Sequence, residues 1–140
     1  MEKKEAVNQK EISDLMQYLN CCHDASLRTI SFIKKREFDK KSGDLIYTGD
    51  SSENAELCDV HLEMLLNSYS GAKKDQVVDL EFKNVANFNF MQEDTYDYSE
   101  IYSVKCTMKS LGRASVVFEA TKSKYPVLAL ECSKVICVEK

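Results

Sequence analysis

Apolar and polar residues follow two different periods along this chain. Over residues 9–20, Ile12, Leu15, Met16 and Leu19 fall at the i, i+3, i+4, i+7 spacing of an amphipathic helix. Residues 1–8 show neither period and are expected to be a frayed lead-in. Beyond Cys22 the pattern becomes β-like. Leu27, Ile30 and Phe32 mark a run from about Ser26 to Phe38. A turn at Lys40-Lys41-Ser42-Gly43-Asp44 returns the chain as Leu45-Ile46-Tyr47. Strict alternation then takes over: Val60, Leu62, Met64 and Leu66 share one face, and after a break at 70–75 so do Val78, Leu80 and Phe82. Phe88 and Phe90 predict a short further strand. Tyr102, Val104, Cys106 and Met108 predict the next, and Ala114, Val116, Phe118 and Ala120 follow the turn at Gly112. In the last run, Leu128, Leu130 and Cys132 face one way, but Val135, Ile136, Cys137 and Val138 are apolar on both parities. A bulge near Ser133, or cover on both faces, accounts for that change.

The pattern predicts an α+β, mainly β fold: one N-terminal helix, then a β-rich stretch over 26–139 with about seven to eight strands in a mostly antiparallel sheet or half-barrel. No repeat or linker divides the 140 residues, so a single domain over 1–140 is expected. With 44% hydrophobic residues and one proline, the chain has the material for one core and not for a disordered or low-complexity segment. No window approaches the roughly 18 consecutive apolar residues of a spanning helix. The first 20 residues hold no continuous apolar stretch of the kind a secretory signal needs. The expected location is cytoplasmic.

Charge and cysteine narrow the chemistry. Nineteen basic residues against twenty-three acidic ones give a net charge of −4, the wrong sign for a protein that grips nucleic-acid phosphates. Cys58, Cys106, Cys132 and Cys137 sit in apolar runs, where a free thiol packs as a small hydrophobe; all six cysteines are expected to be reduced.

His23-Asp24, just after Cys21-Cys22, is the densest polar constellation. Adjacent His and Asp occur in metal-dependent phosphohydrolases, but those need further histidines, and this chain has only His61 besides. Zinc ligands exist on paper in Cys21, Cys22, His23, Cys58 and His61. Strand parity opposes the site, because Cys58 and His61 lie three apart and face opposite sides. A cysteine nucleophile would need a base and an oxyanion hole around it, and no Gly-rich elbow or phosphate loop is present. The expectation is a protein that is not an enzyme, with no metal and no cofactor.

Two surface features remain. Glu93, Asp94, Tyr96, Asp97, Tyr98 and Glu100 set four carboxylates beside two aromatic anchors, which suits a basic partner. Lys34-Lys35-Arg36 with Lys40-Lys41 is interrupted by Glu37 and Asp39 and reads as a lysine-guarded hairpin edge.

The run Cys22-His23-Asp24-Ala25-Ser26-Leu27-Arg28-Thr29-Ile30 resembles the aromatic-His-Asp-x-x-hydrophobic-x-x-hydrophobic opening of small bacterial immunity proteins of polymorphic toxin systems, with Cys22 in the aromatic's place. Those families also carry a later strand similar to Val78-Asp79-Leu80-Glu81-Phe82-Lys83-Asn84-Val85. The resemblance implies a small β-rich, non-catalytic binder that neutralises a toxin of the same cell. It assigns no role to His23 or Asp24. The expected partner is therefore a cognate, cationic protein toxin, met through the 93–100 segment, with no nucleic acid and no membrane. The alternative is a small-ligand module whose sheet curls around Phe88, Phe90, Tyr102 and Phe118.

Overall fold

A computed structural model describes residues 2–48, 57–68, 71–72, 74–90, 100–110, 112–120 and 125–140. The predicted helix forms as α1, Gln9–Tyr18. Asn8 caps it, its side chain accepting from the Glu11 N–H at 2.8 Å, while the Glu11 carboxylate accepts from the Val7 N–H at 2.9 Å. Ile12, Leu15, Met16 and Leu19 are buried, as the spacing predicts. The lead-in differs from the expectation. Residues Glu2–Ala6 form strand β1, paired with the chain's last strand from Glu2↔Glu139 to Ala6↔Val135. Main-chain pairing to an open strand edge, with Ala6 buried and Lys3, Lys4 and Glu5 not, leaves no periodic side-chain signal for sequence reasoning to find.

The remaining strands are β2 (Ala25–Lys34), β3 (Arg36–Phe38), β4 (Leu45–Tyr47), β5 (Cys58–Leu66), β6 (Gln76–Phe90), β7 (Glu100–Ser110), β8 (Arg113–Ala120), β9 (Leu128–Cys132) and β10 (Lys134–Glu139). Eight of them make one antiparallel sheet in the order β1-β10-β6-β5-β2-β7-β8-β9, so the fold is mainly β, with one α-helix among the described residues. An additional β6–β9 pairing closes the circuit β6-β5-β2-β7-β8-β9 on itself. Among the described residues β2 and β7 pair at Ala25↔Ile101 and Ser26↔Glu100. β3 and β4 form a separate two-stranded ribbon.

Closure depends on β6, a single 15-residue strand where the alternation predicts two. Its flank pairs with β10 as far as Lys83↔Lys134 and with β9 from Ala86↔Glu131. Asn84 and Asn87 mark this change with φ of +56° and +52°, a conformation Asn tolerates better than branched residues do. The same device explains the predicted parity switch in the final run. Ser133 interrupts it, and the buried set passes from Leu128, Leu130 and Cys132 to Val135, Cys137 and Glu139. In β7 a register shift between Ile101 and Ser103 alters the expected face. Ile101 and Val104 are buried, whereas Tyr102 and Met108 are exposed.

The core fills the ring. Phe82 and Phe118 meet edge to face at its centre, with ring centroids 6.0 Å apart, and both are fully buried. α1 packs against β7, where the Gln9 side-chain amide donates to the Cys106 carbonyl at 3.3 Å. No helix among the described residues is long and apolar enough to cross a membrane. Phe118→Ala is expected to cost about 3–5 kcal/mol, read as a lower midpoint in urea with an unchanged slope. A loss below about 1 kcal/mol would remove the ring pair from the centre of the core.

Candidate functional site

The His23–Asp24 motif sits where α1 gives way to β2. Asn20, Cys21, Cys22 and Asp24 all have positive φ, between +51° and +58°, so the chain reverses within a few residues. The reversal buries Cys22 and turns His23 outward onto β7. His23 Nδ1 lies 2.8 Å from the Tyr102 carbonyl oxygen; since a carbonyl only accepts, Nδ1 carries the proton and donates. The imidazole meets the Tyr102 ring edge to face at 5.5 Å, and Nε2 is 3.5 Å from Asp24 Oδ2. The motif clamps the start of β2 to β7 beside the Ala25↔Ile101 pair.

The other residues weighed for metal or thiol chemistry are dispersed. His61 lies on the outer face of β5, 3.6 Å from Asp79 Oδ1, while the Cys58 thiol points to the Val85 carbonyl. No group of three or more His, Cys, Asp or Glu among the described residues is placed to hold a metal ion. None of the six cysteines forms a disulfide. Burial pushes the thiol of Cys22 far up and that of Cys132 up to about 12, and it also raises Cys58 and Cys106. A thiol so raised stays protonated at neutral pH and is a poor nucleophile. Cys22 and Cys132 should therefore react with iodoacetamide only on unfolding. Mass spectrometry of protein labelled at pH 7 with and without urea tests this; fast native labelling of either would contradict the packing.

The most connected polar cluster forms where β6 bends. Asp59 on β5 accepts from the Asn84 N–H at 3.1 Å and from Lys83 Nζ at 3.1 Å, and Lys35 Nζ lies 3.3 Å away. Lys35 also donates to Asn84 Oδ1 at 2.8 Å, and Asn84 Nδ2 donates to Ser133 Oγ at 2.9 Å. From β8, Arg113 donates to the carbonyls of Asn84 and Glu131, and the Glu131 carboxylate takes the Asn87 amide. The buried Asn84 is thus satisfied on every side.

Burial alone would raise the Asp59 carboxyl, but the Asn84 N–H and the two lysines outweigh it and hold it below its ordinary value. A depressed folded-state pKa stabilises the protein above the unfolded value and loses that contribution as pH falls through the folded one. The midpoint of urea unfolding should accordingly fall with acidification below about pH 4. Asp59→Asn should be less stable at pH 7 and lose less over the same interval; an equal acid loss in both proteins would exclude Asp59.

Lys35 links this cluster to the surface. It lies between β2 and β3, with its ammonium in the cluster and its carbonyl accepting from the Thr48 N–H at 2.8 Å. It thereby roots the β3–β4 ribbon, which as an isolated two-stranded hairpin would be marginal. At the tip, Asp39 Oδ1 accepts from the N–H groups of Lys41 and Ser42, and Gly43 supplies a φ of +76°. Register puts Arg36, Phe38, Leu45 and Tyr47 on one face of the ribbon, with Arg36 stacked 5.2 Å over the Tyr47 ring. Phe38 is 74% exposed and Leu45 and Tyr47 about half exposed, while Ile46 opens onto the other face. Just before the ribbon, Phe32 and Ile33 are each 63% exposed.

The residues picked from the sequence fare differently. Glu93, Asp94, Tyr96, Asp97 and Tyr98 lie outside the described residues. Glu100 opens β7, exposed, opposite Ser26. The four aromatics of the alternative pocket are separated: Phe118 is in the core, Phe88 packs on Phe32 at 6.3 Å, and Phe90 and Tyr102 are exposed. The charge pattern of the sequence marks this ribbon only as a guarded edge. Its available signal was Leu45-Ile46-Tyr47 and Phe32-Ile33, adjacent apolar residues that no single buried face can absorb. No family model matches the chain, and no curated protein and no solved structure matches it.

Proposed function

We propose that this protein is a non-catalytic binding protein of the immunity type, which neutralises a cognate protein toxin by covering its working surface. The observation that carries the reading is the ordered apolar ribbon of Phe38, Leu45, Ile46 and Tyr47, continued by Phe32 and Ile33. Exposed apolar residues gathered on one element mark an interaction surface, and aromatic and Arg anchors such as Phe38, Tyr47 and Arg36 are the residue types that dominate interface energies. The clamped tip and the Lys35 root limit the ordering cost on binding.

The partner that fits is a protein with an apolar groove bordered by basic residues. The groove takes the ribbon; the basic border suits the net charge of −4 and the carboxylates of Glu93, Asp94, Asp97 and Glu100. Phe90, exposed at the end of β6, leads directly into that acidic segment. No catalytic step is needed for such a role, and the location consistent with it is the cytoplasm.

The test is a growth assay in a heterologous bacterium. The open reading frame immediately upstream of this protein's own is induced alone and then with it. Relief of toxicity by the wild type is expected. Phe38→Ser combined with Tyr47→Ser should weaken binding to the purified toxin by about 30-fold or more while leaving thermal stability nearly unchanged. Neutralising Glu93, Asp94, Asp97 and Glu100 should lower affinity and flatten its salt dependence. A harmless neighbour, or protection unaffected by both sets of substitutions, would overturn the reading.

A further inference from the structure

β1 is an end strand of the sheet, paired with β10 on one side. Strand alternation shows which of its main-chain groups face the other side. Across the β10–β6 ladder the Lys140 N–H donates to the Val77 carbonyl at 2.9 Å, continuing by one pair a register that is unbroken over Lys134–Glu139. Antiparallel pairs alternate between bonded and unbonded, so Val138 and Ile136 also bond β6. Glu139, Cys137 and Val135 then turn their main chain to β1, where their partners are Glu2, Lys4 and Ala6. The N–H and carbonyl groups of Lys3 and Glu5 consequently point away from the sheet. The Val7 N–H shares their phase, and Glu11 on α1 accepts from it.

A groove of about 310 Å³ runs along this edge. Lys4, Glu5 and Ala6 line one wall. Adjacent strand residues face opposite ways, so a space that touches all three follows the strand's edge and not one of its faces. The other wall is a single stripe of α1, Glu11, Asp14, Leu15 and Tyr18, at i, i+3, i+4 and i+7. The buried Ala6 and Leu15 give the groove an apolar base. Edge lysines commonly discourage a further strand, but Lys3 lies 3.6 Å from Glu5, and Lys4 Nζ lies 4.6 Å over the Tyr18 ring. Three carboxylates, Glu5, Glu11 and Asp14, border the groove against the one ammonium of Lys4. Lys10 meets Asp14 at 2.9 Å on the exposed side, a weak pair that an incoming cation can replace.

We infer that this groove takes an extended basic peptide as an added strand. The main chain of the peptide bonds Lys3 and Glu5, and two lysine or arginine side chains, two residues apart, meet Glu11 and Asp14. The spacing fits, since alternate strand residues stand about 6–7 Å apart and helix neighbours at i, i+3 about 5–6 Å. The assignment uses no ribbon residue and does not rest on the immunity reading.

The probe is a capped pentapeptide of alternating lysine and valine, with lysine at both ends, titrated into the purified full chain. Backbone amide NMR should show saturable shifts at Lys3, Glu5, Glu11, Asp14 and Tyr18. The Lys3 and Glu5 N–H groups should exchange with solvent at least tenfold more slowly in the complex. Two further peptides, methylated at alternate backbone nitrogens, separate strand addition from charge attraction. Methylation in one phase should abolish binding, and in the other phase should leave it. A peptide with glutamate for lysine should bind at least tenfold more weakly, and Glu11→Gln combined with Asp14→Asn should weaken the lysine peptide as much. Lys3→Pro should also weaken it at least tenfold with little change in melting temperature, because the β10 ladder does not use that N–H. Lys3→Gln, the charge control, should not weaken it. If Lys3→Pro disrupts β1, the methylated peptides still decide. Equal binding of the two methylated peptides, equal binding of the glutamate peptide, or shifts away from these amides would overturn the proposal. So would protection of the Lys3 and Glu5 amides that grows with protein concentration in the absence of peptide, because a second copy of the chain would then hold the edge.

Discussion

Everything in this molecule depends on one strand serving two neighbours in succession. β6 runs beside β10 for its first half and β9 for its second, and the ring closes only because the hand-over at Asn84 is made without leaving a polar group stranded. The left-handed backbone of Asn84 turns its N–H to Asp59 and its carbonyl to Arg113, while its side chain bonds Lys35 and Ser133. A branched residue would be strained in that conformation, and an apolar one would leave Lys35 and Ser133 without this partner. The constraint is geometric first and energetic second.

That arrangement reaches the surface through Lys35. The ammonium that completes the buried cluster belongs to the residue that starts the exposed ribbon, so the order of the ribbon is bound to the integrity of the ring. A protein that offers apolar residues to water gains from holding them rigid, because a mobile apolar arm both aggregates and gives up entropy on docking. The two functions of the cluster, closing the wall and fixing the arm, therefore share the same few side chains.

The sequence pattern was most informative where side chains alternate against one core. Val60 through Leu66, Val78 through Phe82 and Ala114 through Ala120 occupy the predicted faces, because burial on one side of a strand writes itself into composition at every second residue. The parity change across Ser133 was legible for the same reason. What stayed hidden has no such trace. β1 is held by main-chain bonds, and Tyr102 changes face through a register shift in its own strand. Glu139 looks like an ordinary terminal carboxylate until the Ser133 break turns it inward. The fold class was readable; the exposed ribbon was not, because it is defined by what fails to cover it.

The contact between β2 and β7 carries a consequence for how the ring forms. Hairpins such as β5–β6 and β7–β8 join segments close in sequence and close cheaply. The two pairings of residues 25 and 26 with 101 and 100 must instead bring together segments separated by half the chain. Joining them costs more chain entropy than closing either hairpin. His23, holding the Tyr102 carbonyl beside it, adds one more tie across that long-range joint, so the conspicuous motif of this sequence works between segments distant in the chain.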